Sequence, residues 1–467
     1  MAEFSEKIDE ILKVEDNKEN SFEKVEKFLD SLTRFTIKHT INDTKDFLAF
    51  LGNPDKKMKV IHVAGTNGKG SVCNYITGIL MQANYHVGMF TSPHLVQITE
   101  RFQVDKKNIS NETFVELFYK VLHMVLLYQK KNNDFFPSYF EYLFFMGMEL
   151  FGSLNLDYVI LETGLGGRLD ATNTVEKPLV CAITEIGLDH MQYLGNTFES
   201  IASQKAGIIK KGVPIVYIDK RPESSKVIED KARECNSRII KVSNSDISNI
   251  TKRRGSDGKN HIDFCYNSSY YKYVDLSLIS PALYQTENAA IAISVAEQLR
   301  LLGADITNDD IYKGIASSLW MCRMDEVKEG FFVDGAHNAD GIEAFVKSVS
   351  EMDIKGKRYL LFGVVGDKQY LKMIDTLLQS KLFSSIDVAV LETGRSLSRD
   401  ELRESFFKER EKNTDTQIFF HDNVEEALKA VALKKNADDC IFAAGSLYLA
   451  GQISGLINKF GDIYDKF

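Results

Sequence analysis

The sequence predicts an α/β protein: a mainly parallel sheet carrying a phosphate-binding loop, joined to a second, Rossmann-like α/β unit. Three observations predict it. Short β-branched apolar runs recur along the chain, amphipathic stretches of helical period separate them, and the series breaks near residue 243 and restarts near 331. At 467 residues the chain is about three times a ~150-residue domain, so two or three cores are expected.

The first series is the more regular. Residues 60–64 form a β-branched run that enters a Gly-rich turn, and 71–83 follow with helical period. Residues 87–90, 157–161, 180–184 and 213–218 read as further strands. In such sheets ligands bind where loops leave the carboxyl ends of strands. Between 243 and 280 the texture changes: turn chemistry at 255–260 lies among alternating residues at 261–264 and 271–278, predicting a small antiparallel β region. Lys252-Arg253-Arg254 reads there as a solvated hairpin tip. Residues 286–302 read as a helix that Ala289, Ala290 and Ala292 help to pack closely.

The second series places strands at 331–334, 358–365, 386–391, 417–420 and 440–444. Helices are predicted between them at 341–351, 369–379, 399–412 and 423–434. The expected domains are 1–320 and 321–467.

Composition excludes several functional classes. Hydrophobic residues (44%) and charged residues (26%) are at ordinary globular levels. Lys plus Arg (57) against Asp plus Glu (66) gives −9, which argues against a general nucleic-acid or anionic-membrane binder. The six cysteines, Cys73, Cys181, Cys235, Cys265, Cys322 and Cys440, are scattered, as in a reducing cytosol rather than a disulfide framework or zinc finger. No signal-peptide-like apolar region opens the chain. The richest apolar stretch, 139–156, is broken by Glu141, Glu149 and Asn155, short of the ~18–20 apolar residues of a membrane span. A soluble cytoplasmic monomer is expected, with small-molecule substrates and neither nucleic acid nor membrane as partner.

Two motifs carry most of the chemistry. Gly65-Thr66-Asn67-Gly68-Lys69-Gly70-Ser71 lies between a strand and a helix, where backbone N–H groups point at an anion. Lys69 supplies a point charge for the β/γ-phosphates, and Ser71 offers a hydroxyl to Mg²⁺. The spacing departs from G-x-x-x-x-G-K-[ST], because Gly70 separates Lys69 from Ser71. The second motif runs from Glu162 to Asn173. An acid ending a buried strand is well placed to hold Mg²⁺ beside a phosphate loop. Its glycines do not make a dinucleotide fingerprint, since Leu169 stands where the last glycine belongs.

Further clusters sit at predicted strand ends: Thr91 to Leu95, Gly187 to His190, and Asp334 to Asn338. Lys205 follows on a helix, and Arg323 lies between the domains. Taken singly, each has a plain structural reading: a tight turn with a surface lysine, a helix-capping acid, a satisfied histidine, a surface arginine. Together they point to an ATP site at a domain interface.

These motifs, in this order, resemble the folylpolyglutamate synthase and dihydrofolate synthase family of the wider Mur ligase group. The match runs from about Lys45 to the C-terminus. It adds Tyr139-Phe140-Glu141, Asn288 and the segment from Gly445 to Ala450. The resemblance implies a P-loop-containing Mur-ligase-type central domain and a C-terminal Rossmann-like glutamate-ligase domain. It implies that Gly65, Thr66, Asn67, Gly68, Lys69, Gly70, Ser71, Asn288, Arg323 and Asp334 bind ATP. Ser138, Tyr139, Phe140, Glu141, Leu169, Asp170 and Ala171 correspond to pterin-binding segments. Ser92, Glu162 and His190 look like magnesium ligands, joined by Ser71 and by Lys205 if carbamylated, with two metal sites. Lys69, Glu162, His190, Lys205 and His337 are the implied catalytic set, with His337 near the incoming glutamate.

The chain departs from the family pattern at three points. Met321-Cys322-Arg323 lacks the usual proline before the arginine, Ala339 replaces a proline, and Gln204 replaces a glutamate before Lys205. Carbamylation also requires a neutral Lys205, which burial or neighbouring cations would provide.

The reaction implied is ATP-dependent joining of L-glutamate to 7,8-dihydropteroate or to the γ-carboxyl of a reduced folyl-(poly)glutamate through an acyl phosphate. The version of the 166–173 segment resembles that of bifunctional bacterial enzymes, so both activities are expected. Two alternatives stand beside it: a Mur-type amide ligase with a non-folate acceptor, and a nucleotide-dependent regulator that makes no bond.

Overall fold

The computed structural model describes residues 2–15, 21–33, 40–132, 135–366, 368–410 and 416–459. Its first sheet contains β1 (Val60–Ala64), β2 (Val87–Phe90), β3 (Phe102–Val104), β4 (Lys107–Asn108), β5 (Tyr158–Glu162), β6 (Val180–Ile183), β7 (Ile215–Ile218) and β8 (Ile239–Val242). Among the described residues the strand order is β4-β3-β2-β5-β1-β6-β7-β8. From β2 to β8 the pairings are parallel, and β3 and β4 add an antiparallel edge. Every residue of β1, β2, β5, β6 and β7 is buried, as expected for strands covered on both faces. The strand order changes direction around β1. Loops leaving β1, β5 and β6 therefore diverge and open a crevice at their carboxyl ends.

Alternation along β1 divides the core. Ile61 and Val63 pack with residues of helices Lys69–Gln82 and Tyr284–Leu301. Val60, Phe90 and Leu161 belong to an aromatic core with Phe47, Phe118, Tyr142 and Phe145. Phe47 meets Phe145 edge-on at 4.7 Å. The apolar stretch at 139–156 is helix Tyr139–Ser153, largely buried in this second core. Among the described residues no helix is long and apolar enough to cross a membrane.

The region near 243–280 is an antiparallel sheet of β9 (Ile247–Arg254), β10 (Asn260–Asn267) and β11 (Lys272–Ile279). The basic run ends β9, and the turn follows it. Lys252 pairs with Glu351 at 3.4 Å, Arg253 with Asp263 at 2.6 Å, and Arg254 with Glu326. Lys252 and Arg254 tie the small sheet to its surroundings, Arg253 pairs within it, and the run lies on a strand, not at a free tip.

The second sheet contains β12 (Arg323–Lys328), β13 (Phe331–Asp334), β14 (Arg358–Phe362), β15 (Ser385–Ala389), β16 (Gln417–His421) and β17 (Cys440–Ala444). Its order is β12-β13-β17-β14-β15-β16, parallel except for the β12 edge. The sequence reading overlooks β12, whose charged residues break any apolar run. It also extends β14 and β15 into the loops that leave their carboxyl ends. The predicted helix at 399–412 is observed as Arg399–Arg410, and residues 411–412 lie outside the described residues.

Candidate active site

The crevice is built on the loop between β1 and helix Lys69–Gln82. That helix starts at Lys69, two residues earlier than predicted, because Gly68 turns the chain at φ +88°. A Cβ at Gly68 would collide with Asn288 Oδ1, and one at Gly65 with Thr184 Oγ1. Thr184 Oγ1 donates to Asn67 O at 2.6 Å, and Thr66 N donates to Glu185 O at 2.7 Å. The loop is thus pinned to the segment leaving β6, with the helix N-terminus facing the crevice. Ser71 is fully buried, and its Oγ accepts from Gln285 Nε2 at 3.3 Å.

Glu162 ends β5 beside β1, in register with Val63. Its carboxylate is buried, accepts from Ser92 N at 3.1 Å and lies 3.8 Å from Lys69 Nζ. Burial pushes its pKa up. Lys69, the Ser92 amide, Arg323 and Arg101 oppose that shift. Lys69 itself folds back, donating to Thr66 O at 3.2 Å.

Lys205, on helix Phe198–Ala206, reaches the base of the same loop and donates to Gly65 O at 2.6 Å. Burial, aided by the charge of Lys69, brings its pKa down to about 7. The shift favours the neutral amine, the form that CO₂ addition requires.

The second sheet presents its own groups across the seam. Arg323 and Asp334 are register partners on β12 and β13. Asp334 is buried and accepts from Tyr284 Oη at 2.5 Å, Met324 N at 2.9 Å and Ala336 N at 2.7 Å. Asp189, in the segment after β6, pairs with Lys368 at 2.6 Å and with His337 Nε2 at 3.4 Å. Burial opposes its charge, yet His337, Lys368 and His190 hold its pKa well below the usual carboxylate range. His190 stands in the left-handed region at φ +51°, and burial lowers its pKa to about 4. Asn67 and Asn338 exchange amide hydrogen bonds at 2.9 and 3.3 Å, joining the phosphate loop to the second sheet. A cavity of about 430 Å³ opens beside this cluster, lined by Leu188, Lys368, Gln369, Tyr370, Leu371 and Lys372.

Comparison with known proteins agrees with this arrangement. The family model for the Mur ligase middle domain matches residues 63–296, and that for the Mur ligase glutamate ligase domain matches 322–447. A Bacillus subtilis (strain 168) protein named dihydrofolate synthase/folylpolyglutamate synthase is 32% identical over 428 residues, 90% of this chain and 95% of its own length. The chain belongs to the folylpolyglutamate synthase/dihydrofolate synthase family. Solved structures agree. E. coli FolC in complex with DHPP and ADP is 29% identical with a TM-score of 0.79, covering 93% of this chain and 96% of its own. Mycobacterium tuberculosis folylpolyglutamate synthase complexed with ADP is 25% identical with a TM-score of 0.82, covering 93% and 98%.

The departures from the folylpolyglutamate synthase/dihydrofolate synthase pattern have visible accommodations. Cys322 and Met324, on either side of Arg323, take left-handed conformations at φ +55° and +53°. Ala339 is the first residue of helix Ala339–Ser350, where a good helix former serves, and Asn338 Oδ1 caps it by accepting from Gly341 N at 2.8 Å. At Gln204 the contact is a backbone one, indifferent to the side chain: its carbonyl accepts from Arg168 N at 2.7 Å and ties helix Phe198–Ala206 to the loop after β5.

The segments expected from the sequence to bind a pterin, 138–141 and 169–171, lie on the aromatic side of the sheet. Ser138 caps helix Tyr139–Ser153, and Glu141 completes a capping box. Glu141 Oε1 also accepts from Thr44 Oγ1 at 2.9 Å. Tyr139 faces the Arg101 guanidinium at 5.6 Å, and Phe140 packs against Gly164. Leu169 is 72% exposed while Asp170 and Ala171 beside it are buried.

The structure therefore gathers Lys69, Glu162, Ser92, Lys205 and Arg323 around one loop, and His190 with His337 around Asp189. Sequence reasoning places Asp189 in the cluster Gly187 to His190 but carries only His190 into the site, and it passes over Lys368 from the other sheet. The position of Lys368, just beyond the carboxyl end of β14, is the one signal that could have singled it out. Gln285 and Thr184, which shape the phosphate loop, carry no sequence signal of their own.

Proposed function

We propose that the chain is an ATP-dependent ligase that adds L-glutamate to 7,8-dihydropteroate and to the γ-carboxyl of reduced folyl-(poly)glutamate. The carrying observation is the buried Glu162 carboxylate facing Lys69 at the mouth of a phosphate loop, opposite Arg323 of the second sheet. Family membership supports the acceptor class.

A carboxylate and an ammonium do not condense in water near pH 7. Moving the γ-phosphoryl of ATP to the acceptor carboxylate makes an acyl phosphate and ADP. Attack by the glutamate amine then forms the amide, breaks the bond to the phosphoryl oxygen and releases phosphate. Lys69, with the N–H groups opening helix Lys69–Gln82, would hold the triphosphate, and Asn288, Arg323 and Asp334 would complete the ATP site. His337 would face the entering glutamate from the second domain, and we divide the domains at 320/321.

The donor set fits Mg²⁺. Glu162 offers a buried carboxylate whose nearest cation is 3.8 Å away, and Ser92 stands beside it. Mg²⁺ characteristically takes one or two carboxylates and completes its shell with phosphate oxygens and water. Glu162, Ser92 and His190 would hold it, Ser71 and a carbamylated Lys205 would serve a second site, and the metal would neutralise charge on the transferring phosphoryl. We further infer a cytoplasmic monomer acting on small molecules; light scattering at working concentration should return the mass of one chain.

The deciding experiment is mass spectrometry of products formed from dihydropteroate and from tetrahydrofolate, with ATP, Mg²⁺ and glutamate. One added glutamyl residue and stoichiometric ADP are expected in each. Phosphate release without a ligated product would overturn the proposal.

A further inference from the structure

The centre of the first sheet holds a polar chain that leads away from the phosphate loop. His62 lies on β1, three residues before Gly65, and is fully buried. Its Nε2 is 2.8 Å from Thr172 Oγ1, and Thr172 Oγ1 is 2.5 Å from Asp170 Oδ1. Asp170 Oδ1 also accepts from Thr172 N at 3.0 Å, and Oδ2 accepts from Gly164 N and Leu165 N, both at 2.9 Å. His62 Nδ1 is buried with no hydrogen-bond partner.

The Thr172 hydroxyl has a single proton and donates it to Asp170 Oδ1. Its oxygen is left to accept, so the ring proton of His62 sits on Nε2 and is donated to Thr172 Oγ1. Nδ1 is then the unprotonated nitrogen, and no buried N–H is orphaned. Asp170 receives four donors, two of them the backbone N–H groups of the loop after β5. That loop passes against Phe140, where a Cβ on Gly164 would run into the ring.

We propose that His62 is a positioning residue for the pterin acceptor: through Thr172 it aims the Asp170 carboxylate that fixes the Gly164–Leu165 backbone against Phe140. The inference rests on the reading of 138–141 and 169–171 as acceptor-binding segments. Its physical content is that β1, which carries the phosphate loop, also sets the wall of the acceptor site. Burial lowers the pKa of His62 to about 3, so the ring stays neutral and keeps a constant donor across the working pH range.

The test compares His62→Leu, which removes the donor, with His62→Gln, whose amide N–H₂ reaches the place of Nε2. Steady-state KM for the pterin acceptor, KM for ATP and the unfolding temperature are measured for each. Expected are a rise of at least tenfold in acceptor KM for His62→Leu, ATP KM within twofold of the parent, and recovery to within threefold in His62→Gln. Equal rises in both KM values, or no rise in a folded His62→Leu protein, would overturn the proposal. If His62→Leu does not fold, Thr172→Val breaks the same chain outside the central strand and carries the same expectation, with Thr172→Ser as its rescue. Phe140→Ala separates the two levels. If it leaves acceptor KM unchanged, the pocket reading fails; if it raises acceptor KM while both chain-breaking variants do not, only the role of His62 fails.

Discussion

Lys69 Nζ stands 3.8 Å from Glu162 Oε1, inside ion-pair range but beyond hydrogen-bond distance. Both side chains are largely shielded from water, so each charge matters to the other, yet neither is locked. Lys69 makes its hydrogen bond to the Thr66 carbonyl instead. The pair is therefore held by its own loop in Coulombic contact without a direct hydrogen bond.

Lys69→Met should lower kcat/KM by about 10²–10³-fold, the range for losing one charge-stabilising donor in an enclosed site. Steady-state ADP release measures it. Full activity in a folded variant would remove Lys69 from the phosphate site.

Glu162→Gln keeps the size of the side chain and its contact with Ser92 N while deleting the charge. Calorimetric titration should then show nucleotide binding that no longer tightens with Mg²⁺. An unchanged Mg²⁺ dependence would place the metal elsewhere.

Lys205, with its pKa lowered to about 7, should take up CO₂ reversibly. Activity in CO₂-depleted buffer should fall and return when bicarbonate is added, and Lys205→Met should abolish the response. The same burial has a stability consequence. The folded pKa lies below the ordinary 10.5, so the penalty for charging Lys205 is absent above 10.5 and grows as pH falls toward 7. In the absence of CO₂, Lys205→Met should therefore gain stability over the parent toward neutral pH, by on the order of a few kcal/mol. Denaturant unfolding at pH 7 and pH 10 reads the difference.

Acid should act in two windows. His62 and His190 have pKa values lowered from 6.5 to about 3 and about 4, so below pH 6.5 the unfolded chain binds protons that the folded chain refuses. Stability falls from pH 6.5 toward 4, each group contributing up to about 1.4 kcal/mol per pH unit. Asp189, held below 3.8, adds stability that is lost only under still stronger acid. His62→Gln should make the first window shallower in unfolding curves, leaving the His190 contribution, and should leave the second in place.

Much of this was legible in the chain. The runs at β1, β5 and β6 announce a sheet because strands buried on both faces must be continuously apolar, and the glycines mark the loop because only they allow its close approaches. Edge strand β12 was not legible, since Arg323, Asp325 and Glu326 serve contacts rather than a core. Ser138 and Glu141 read as ligand-binding residues by likeness alone, whereas their spacing of three also spells the capping box they form. Asp189 and Lys368 are separated by 179 positions, and nothing short of the folded seam brings them to 2.6 Å.

The paired left-handed residues around Arg323 have a mechanical consequence. A regular sheet edge sends alternate side chains to opposite faces, which would commit its residues to one core or to solvent. The double kink breaks that rule at one point: Cys322 and Met324, which a regular strand would send to one face, enter different cores of the second sheet, and the Arg323 guanidinium between them acts on Glu162 of the first sheet. Any rotation of one lobe on the other would therefore move this cation directly, like a hand on a wrist, with no slack loop in between.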